Sequence, residues 1–377
     1  MELQTGKVAT GRGFVGREAL LQKVTLYMEM NQSVVLIAPR RFGKTSLIKK
    51  LIETNSEYKA IEIDLMKIYN VKNLAEKIVR ECYSLIGIYN FSEYLKKFTI
   101  ESMKTLSSAL ESVSLSLDDI EISVSLKLFE ENDPYALLEH ALSLPEKIAQ
   151  KLGIKVLFAI DELGEVVNLR EHQRVLEMMR ATFQYSQQVN YIFAGSQYSL
   201  MNAIFTDKNS PFFRFAEPVI VPPMREDEFL QFFKEVFKGA EVSLYRQFTK
   251  DVVSISGGIP YYITKVVQIV LIDCKINQKL NTYRWSVCKA ALIQYQREEV
   301  YFNQELSRLR GKKHYFQTLK VLSREGDPYK EMKREGVQRQ NVRKILKALE
   351  DDGLIEQQGT VYRVIDPFLN RYIRKEL

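Results

Sequence analysis

The stretch Ser33 to Ser46, SVVLIAPRRFGKTS, constrains this chain more than any other. Ser33 to Ile37 read as a short apolar strand, Ala38 to Thr45 as a loop, and Ser46 to Ile52 as the opening of a helix. Strand, Gly-Lys-Thr loop and helix in that order are the setting of a phosphate-binding loop, normally written GxxxxGK[ST]. Ala38 stands at the first glycine, and Gly43-Lys44-Thr45 are intact. The chemistry asks for these residue types. Backbone N–H groups of Arg41 to Thr45 would point at phosphate oxygens, and the helix N-terminus adds its positive end. Gly43 permits a backbone path that a side chain obstructs. Lys44 would reach the β- and γ-phosphates, and the Thr45 hydroxyl would ligate Mg2+. Pro39, Phe42 and Ser46 complete the candidate nucleotide contacts. Arg40 and Arg41 are open between phosphate contact, contact with a neighbouring subunit, and a solvated pair. The strand before the loop and the helix after it argue against a chance Gly-Lys-Thr.

A chain of 377 residues allows two or three domains. Its composition, 46% hydrophobic and 27% charged, is that of a globular protein. No apolar run approaches the roughly 20 residues of a membrane span. The N-terminus, MELQTGKVATGRGF, has no apolar core of a signal peptide. A cytoplasmic protein without a membrane partner is therefore expected. Cys82, Cys274 and Cys288 lie far apart, without a CxxC, and the three histidines are scattered. That argues against a zinc site and against a disulfide framework. Net charge is +7, and residues from Ser307 onward carry 17 Lys+Arg against 10 Asp+Glu. A basic terminal module on a neutral body is a reason to consider nucleic acid.

Ahead of the loop, Phe14-Val15-Gly16-Arg17-Glu18 leads into a helix with Leu20, Leu21, Val24 and Met28 at helical spacing. Gly16 and Arg17 are candidate adenine-side contacts, the alternative being a turn and helix cap. Tyr58 to Leu65 read as a second strand and Val71 to Ile86 as an amphipathic helix. Residues 90–117 carry a helical pattern and Ile120 to Leu128 alternate like a strand. Together they look like an insertion with no assignable chemistry. Asp133-Pro134 starts a helix that Gly153 ends. Ile154 to Glu162 is an apolar strand ending in two carboxylates at its C-terminal edge, where open α/β sheets place ligands. Asp161 would hold Mg2+ through water, and Glu162 would polarise the attacking water. The next strand, Asn190 to Gln197, ends in a polar cluster. Ser196 or Gln197 is placed to sense the γ-phosphate or position the water, and the residues alone do not choose between them. Arg214, before a strand at Glu217 to Val221, is either an arginine finger, in cis or from a neighbour, or a surface arginine.

Pro222-Pro223 marks a boundary. Helices follow at Glu226 to Lys238, Ser243 to Ser254, Ile263 to Cys274 and Trp285 to Val300, continuing to Arg308. The turn Ser256-Gly257-Gly258-Ile259-Pro260 lies among them. Lys313 to Arg324, Tyr329 to Glu335 and Arg339 to Asp351 then read as helices, and Leu354 to Val364 as strand, turn, strand. Helix, helix, helix, hairpin is the winged-helix order. The third helix carries Arg339, Gln340, Asn341, Arg343, Lys344 and Lys347, able to reach bases and phosphates of duplex DNA. The alternative is a module that docks on protein. The expected architecture is α/β: a parallel-sheet core over 1–222, a small helical lid over 223–306 and a winged helix over 307–377.

These residues carry a family resemblance. Phe14-Val15-Gly16-Arg17-Glu18, Ala38-Pro39-Arg40-Arg41-Phe42-Gly43-Lys44-Thr45-Ser46, Asp161-Glu162, Gly195-Ser196, Ser210-Pro211-Phe212 and Gly257-Gly258-Ile259-Pro260, in that order, resemble the prokaryotic, chiefly archaeal, AAA-like ATPase family. That family is related to the STAND and origin-binding ATPases. Arg-Arg-Phe-Gly-Lys-Thr is the most specific mark, and the resemblance spans residues 14–377. It implies an AAA-type core, a helical lid with the Gly-Gly-x-Pro motif, a winged helix, and ATP with Mg2+. It also implies that Lys44 and Thr45 bind phosphate and Mg2+, that Asp161 and Glu162 form the Walker B pair, and that Ser196 is the sensor. One departure is that no arginine of the lid stands out as a second sensor. The expected activity is Mg2+-dependent ATP binding and hydrolysis, coupled to DNA binding through the winged helix, in a possible homo-oligomer. The alternative is an ATP-driven switch whose winged helix docks on protein. A small-molecule kinase is disfavoured, because no acceptor-substrate site is evident.

Overall fold

The computed structural model describes residues 3, 5–85, 133–236, 242–277 and 283–374. The helix expected in 90–117 and the strand expected in 120–128 lie outside the described residues.

The first half is an α/β layer built on five parallel strands: β1 (Val34–Ile37), β2 (Tyr58–Asp64), β3 (Lys155–Asp161), β4 (Val189–Gly195) and β5 (Glu217–Ile220). They lie in the order β2-β3-β4-β1-β5. The near-continuous apolar runs of β1, β3 and β4 are what a sheet covered on both faces requires. Alternation along β1 divides the core. Val34 and Leu36 belong to one buried cluster, Val35 and Ile37 to the other. The helices of this half are α1 (Glu18–Glu29), α2 (Lys44–Thr54), α3 (Val71–Leu85), α4 (Pro134–Leu152), α5 (His172–Phe183) and α6 (Tyr198–Thr206). α4 starts where Asp133 accepts from the backbone N–H groups of Tyr135 and Ala136, with Pro134 in the first turn.

The second half is helical: α7 (Glu226–Val236), α8 (Val242–Ile255), α9 (Pro260–Asn277), α10 (Tyr283–Arg310), α11 (Tyr315–Ser323), α12 (Pro328–Arg334) and α13 (Arg339–Asp351). A hairpin, β6 (Ile355–Gln358) and β7 (Val361–Val364), follows, and α14 (Pro367–Arg374) comes after it. The third helix and the hairpin stand where the spacing places them. Val342, Ile345, Leu346 and Leu349 form the buried stripe of α13, at helical intervals. α10 is one helix running through position 306. α14 was not foreseen. It is capped by Asp366, whose Oδ1 accepts from the N–H groups of Phe368 at 2.9 Å and Leu369 at 3.1 Å.

The two halves share a core. The buried cluster that holds Val34 and Leu36 also holds Phe233, Tyr262, Leu306, Leu346 and Phe368. The Gly257-Gly258 turn is one place where the halves meet. Gly258 has φ +70°, and a Cβ there would lie 2.7 Å from the Met224 carbonyl oxygen. The Met224 N–H donates to the Gly258 carbonyl at 2.8 Å. Only glycine serves that conformation and that approach. Among the described residues, no helix is long and apolar enough to cross a membrane.

Candidate functional site

Parallel order brings three loops to one edge of the sheet. β1 lies beside β4, and β4 beside β3, so the segments after Ile37, Gly195 and Asp161 leave the same C-terminal edge side by side. Lys44-Thr45, Ser196 and Asp161-Glu162 therefore meet, although they are far apart in the chain.

Gly43 adopts φ +80° as the residue before α2, which turns the loop into the helix. Lys44 is 5% exposed. Its ammonium donates to the carbonyls of Ala38 at 2.9 Å and Pro39 at 3.2 Å, and lies 3.9 Å from Glu162 Oε1. Burial pushes the lysine below its ordinary value, with Glu162 and Asp161 pulling the other way. The Thr45 hydroxyl donates to Asp161 Oδ2 at 2.5 Å. Burial raises the Asp161 carboxyl, and the Thr45 hydrogen bond opposes that rise. Glu162 takes a left-handed conformation, φ 52°. Its Oε2 accepts from the backbone N–H of Ser196 at 2.9 Å and the Ser196 hydroxyl at 2.8 Å. Of the two residues left open after β4, Ser196 is thus the one joined to the carboxylates, while Gln197 lines an adjoining cavity. Ser46 faces the N-terminal lead-in and accepts from the Ala9 N–H at 2.9 Å.

Gly16-Arg17, ahead of α1, pack against the start of α7. Arg17 is buried, its backbone N–H donates to Glu228 Oε1 at 2.8 Å, and its guanidinium donates to the Pro222 carbonyl at 3.3 Å. Burial lowers its pKa to about 10, against the opposing charge of Glu228. One guanidinium nitrogen, Nη1, is buried with no hydrogen-bond partner. Glu228 also accepts from the Arg225 N–H at 2.7 Å, so one carboxylate ties this turn to the start of α7. Sequence reasoning missed Glu228, because nothing local to α7 distinguishes it from a solvated acid.

The two loop arginines part company. Arg40 is exposed and lines a cavity of about 540 Å³, together with Pro39, Ser196, Arg308 and Asp366. Arg41 turns toward the helical half. Its Nη1 donates to the Tyr262 hydroxyl at 2.5 Å and lies 3.5 Å from Asp366 Oδ2. Its Nη2 lies 3.1 Å from Glu298 Oε2, and the guanidinium packs over the Tyr261 ring at 4.7 Å. Burial works against that charge, and Tyr262, Glu298 and Asp366 outweigh it. Phe42 is buried in the shared core.

Arg214 lies away from this chain's own phosphate loop. It precedes β5, whose Glu217 pairs with Val34 at the start of β1, so it lies at the opposite edge of the sheet from the loop. Its side chain is exposed and rests over Phe213. In the last third, Arg339, Gln340, Arg343 and Lys344 are all exposed on α13, on the side away from its buried stripe. Arg343 and Lys347 border a groove shared with Asn202 and Asp207 near α6, and Lys344 borders another with Lys313 and His314. Arg339 lies over the Tyr329 ring at 5.3 Å.

A phosphate loop, a strand-end carboxylate pair and a polar residue on the next strand define a P-loop ATPase. The chain belongs to the family described as an ATPase domain predominantly from Archaea, whose profile matches residues 14–266. It is an ATPase of that nucleotide-binding group. Residues beyond 266 lie outside the matched region. Along its full length the fold is similar to that of the Walker-type ATPase of Pyrococcus abyssi, with 17% identity, 99% of both chains covered and a TM-score of 0.69. It is also similar to the ORC2 protein of Aeropyrum pernix in its ADPNP-ADP complexes, with 10% identity, 99% and 98% covered and a TM-score of 0.56. No curated protein matches the chain.

Proposed function

We propose that the chain hydrolyses ATP with Mg2+ at the sheet-edge site and couples nucleotide state to duplex DNA binding through α11–α13 and the β6–β7 hairpin, acting as a winged helix. The observation that supports the hydrolytic part is the joined set Lys44, Thr45, Asp161, Glu162 and Ser196. Division of the chain at 222 and 306 into core, lid and winged helix belongs to the same reading.

The residues fit Mg2+. A hydroxyl and a carboxylate oxygen, Thr45 Oγ1 and Asp161 Oδ2, face each other. Hard oxygen donors of this kind suit Mg2+, which keeps waters and takes further ligands from substrate phosphates instead of an all-protein cage. When bound, Mg2+ neutralises charge on the phosphates. The rest is the chain's own work. Lys44 holds the β- and γ-phosphates over the loop carbonyls it now caps. Glu162 takes the role of orienting the attacking water. Ser196 fixes that carboxylate with two hydrogen bonds and is a positioning residue. Gly16 and Arg17 form the adenine side, and the backbone of Pro39, Arg40, Arg41, Phe42, Gly43 and Ser46 lies around the phosphates.

The DNA part is supported by charge, +7 carried from Ser307 onward, and by exposed Arg339, Gln340, Arg343 and Lys344 on one helix. Phosphate contacts release counterions, so duplex affinity should fall steeply with salt. Arg339, Arg343 and Lys344 changed together to Ala should abolish low-salt duplex binding while leaving ATP turnover intact. Retention of binding in that triple variant would remove α13 from the interface. The groove between Arg343 and Asn202 favours a second reading in one respect, since it shows this helix meeting the ATPase core. An ATP-dependent change in oligomeric size with no DNA affinity at low salt would support the protein-docking switch instead.

A further inference from the structure

Outside the hydrolytic set, Arg41 is a charge that touches three separate helical elements of the second half. Glu298, on α10, is 2% exposed. Its Oε1 accepts from Gln294 Nε2 at 2.8 Å and from the Tyr261 hydroxyl at 3.2 Å, and its other oxygen faces Arg41 at 3.1 Å. Arg41 is the cation that faces this buried acid. Asp366, the cap of α14, presents one oxygen to the helix and the other to both the Tyr262 hydroxyl and Arg41. One side chain of the phosphate loop thereby fastens α9, α10 and α14 at once. The backbone of the same residue, at φ 73°, forms part of the loop that surrounds phosphate.

The geometry points to Arg41 as a latch that is shared between the nucleotide and the helical cover. Nucleotide phosphate presents it with a second set of anionic oxygens, and charge-assisted hydrogen bonds to such groups are among the strongest it can make. Arg41 is itself about a third exposed, and it cannot serve phosphate and keep the buried Glu298 paired. A buried acid that loses its cation is strongly disfavoured, so departure of Arg41 requires the α9–α10–α14 contact to open and admit water. The cover thus competes with nucleotide for one guanidinium. Thermodynamic reciprocity then applies: whatever factor nucleotide takes from closure, closure takes from nucleotide affinity. The inference rests on the ATPase-site reading above.

Asp366→Asn tests it, because Asn preserves the α14 cap while removing one competing charge. Binding of ADP with Mg2+, and of a non-hydrolysable ATP analogue, is measured by calorimetry on the full chain. The latch predicts affinity at least about 5-fold tighter than wild type, the low end of typical coupling between sites. Amide hydrogen exchange across α9 and α14 should rise in wild type when nucleotide is added, and should already be raised in Asp366→Asn without it. Tyr262→Phe, which removes the hydroxyl that both Arg41 and Asp366 use, serves if Asp366→Asn does not fold, and should shift both readouts in the same direction. Equal or weaker affinity in the folded variant, or exchange in wild type that nucleotide leaves unchanged or lowers, overturns the latch and leaves the ATPase site standing. A wild-type chain that binds neither nucleotide overturns the site reading itself.

Discussion

The phosphate loop has two sides, and they are made differently. Toward the sheet, its partners are strand-end residues, Asp161 and Glu162 after β3 and Ser196 after β4, placed by parallel register. Toward the helical half, its partners are Tyr262, Glu298 and Asp366, drawn from two long helices and the cap of a short terminal one. The sheet side has few ways to move, because each group is fixed to a buried strand. The cover side is held by one arginine with several partners. Chemistry suits the first construction and switching suits the second, since a transition state needs fixed groups and a switch needs an element with two arrangements.

Substitutions can break that division. On the sheet side, Ser196→Ala removes the hydroxyl bond to Glu162 and leaves the backbone one. Turnover should fall about 10-fold with ADP affinity unchanged, as expected for a group that matters only when charge develops. A loss of affinity without a loss of turnover would assign Ser196 to binding instead. On the cover side, the tightening expected of Asp366→Asn, at least about 5-fold, has the opposite character: affinity moves first. Smallest of all is Arg214→Ala. From its place at the far edge of the sheet, it should change turnover of the isolated chain by less than about 2-fold, within what surface substitutions typically do. A large loss that appears only at concentrations where the chain self-associates would show that the residue works on a neighbouring copy.

The same division explains what could be read in advance. The sheet side was legible because its signals are local: an apolar run, then Gly-Lys-Thr; another apolar run, then Asp-Glu. Strand order needed no prediction for these groups to meet, since parallel strands put their ends on one edge. The residues alone left Ser196 and Gln197 open, the family resemblance pointed to Ser196, and the hydrogen bonds to Glu162 join Ser196 to the carboxylates. The cover side was opaque. Arg41 looked like one of two equivalent loop arginines, and nothing in the local sequence of α10 sets Glu298 apart from its neighbouring charges. Asp366-Pro367 carried a usable signal for a helix start, an N-cap followed by proline, as at Asp133-Pro134. Even so, its contact with Arg41 spans most of the chain, and no local pattern announces it. Arg214 could not be placed relative to the loop from its local sequence. The pairing of Glu217 with Val34 puts it at the edge of the sheet away from this chain's own loop.

The central claim is that Glu162 orients the water while the loop holds the nucleotide, and Glu162→Gln separates the two. Single-turnover hydrolysis of ATP with Mg2+, with bound nucleotide measured in the same sample, is the direct test. The site described here predicts that ATP remains bound while its cleavage slows at least about 100-fold, the scale of losing one preorganised catalytic group. Cleavage at the wild-type rate would contradict it.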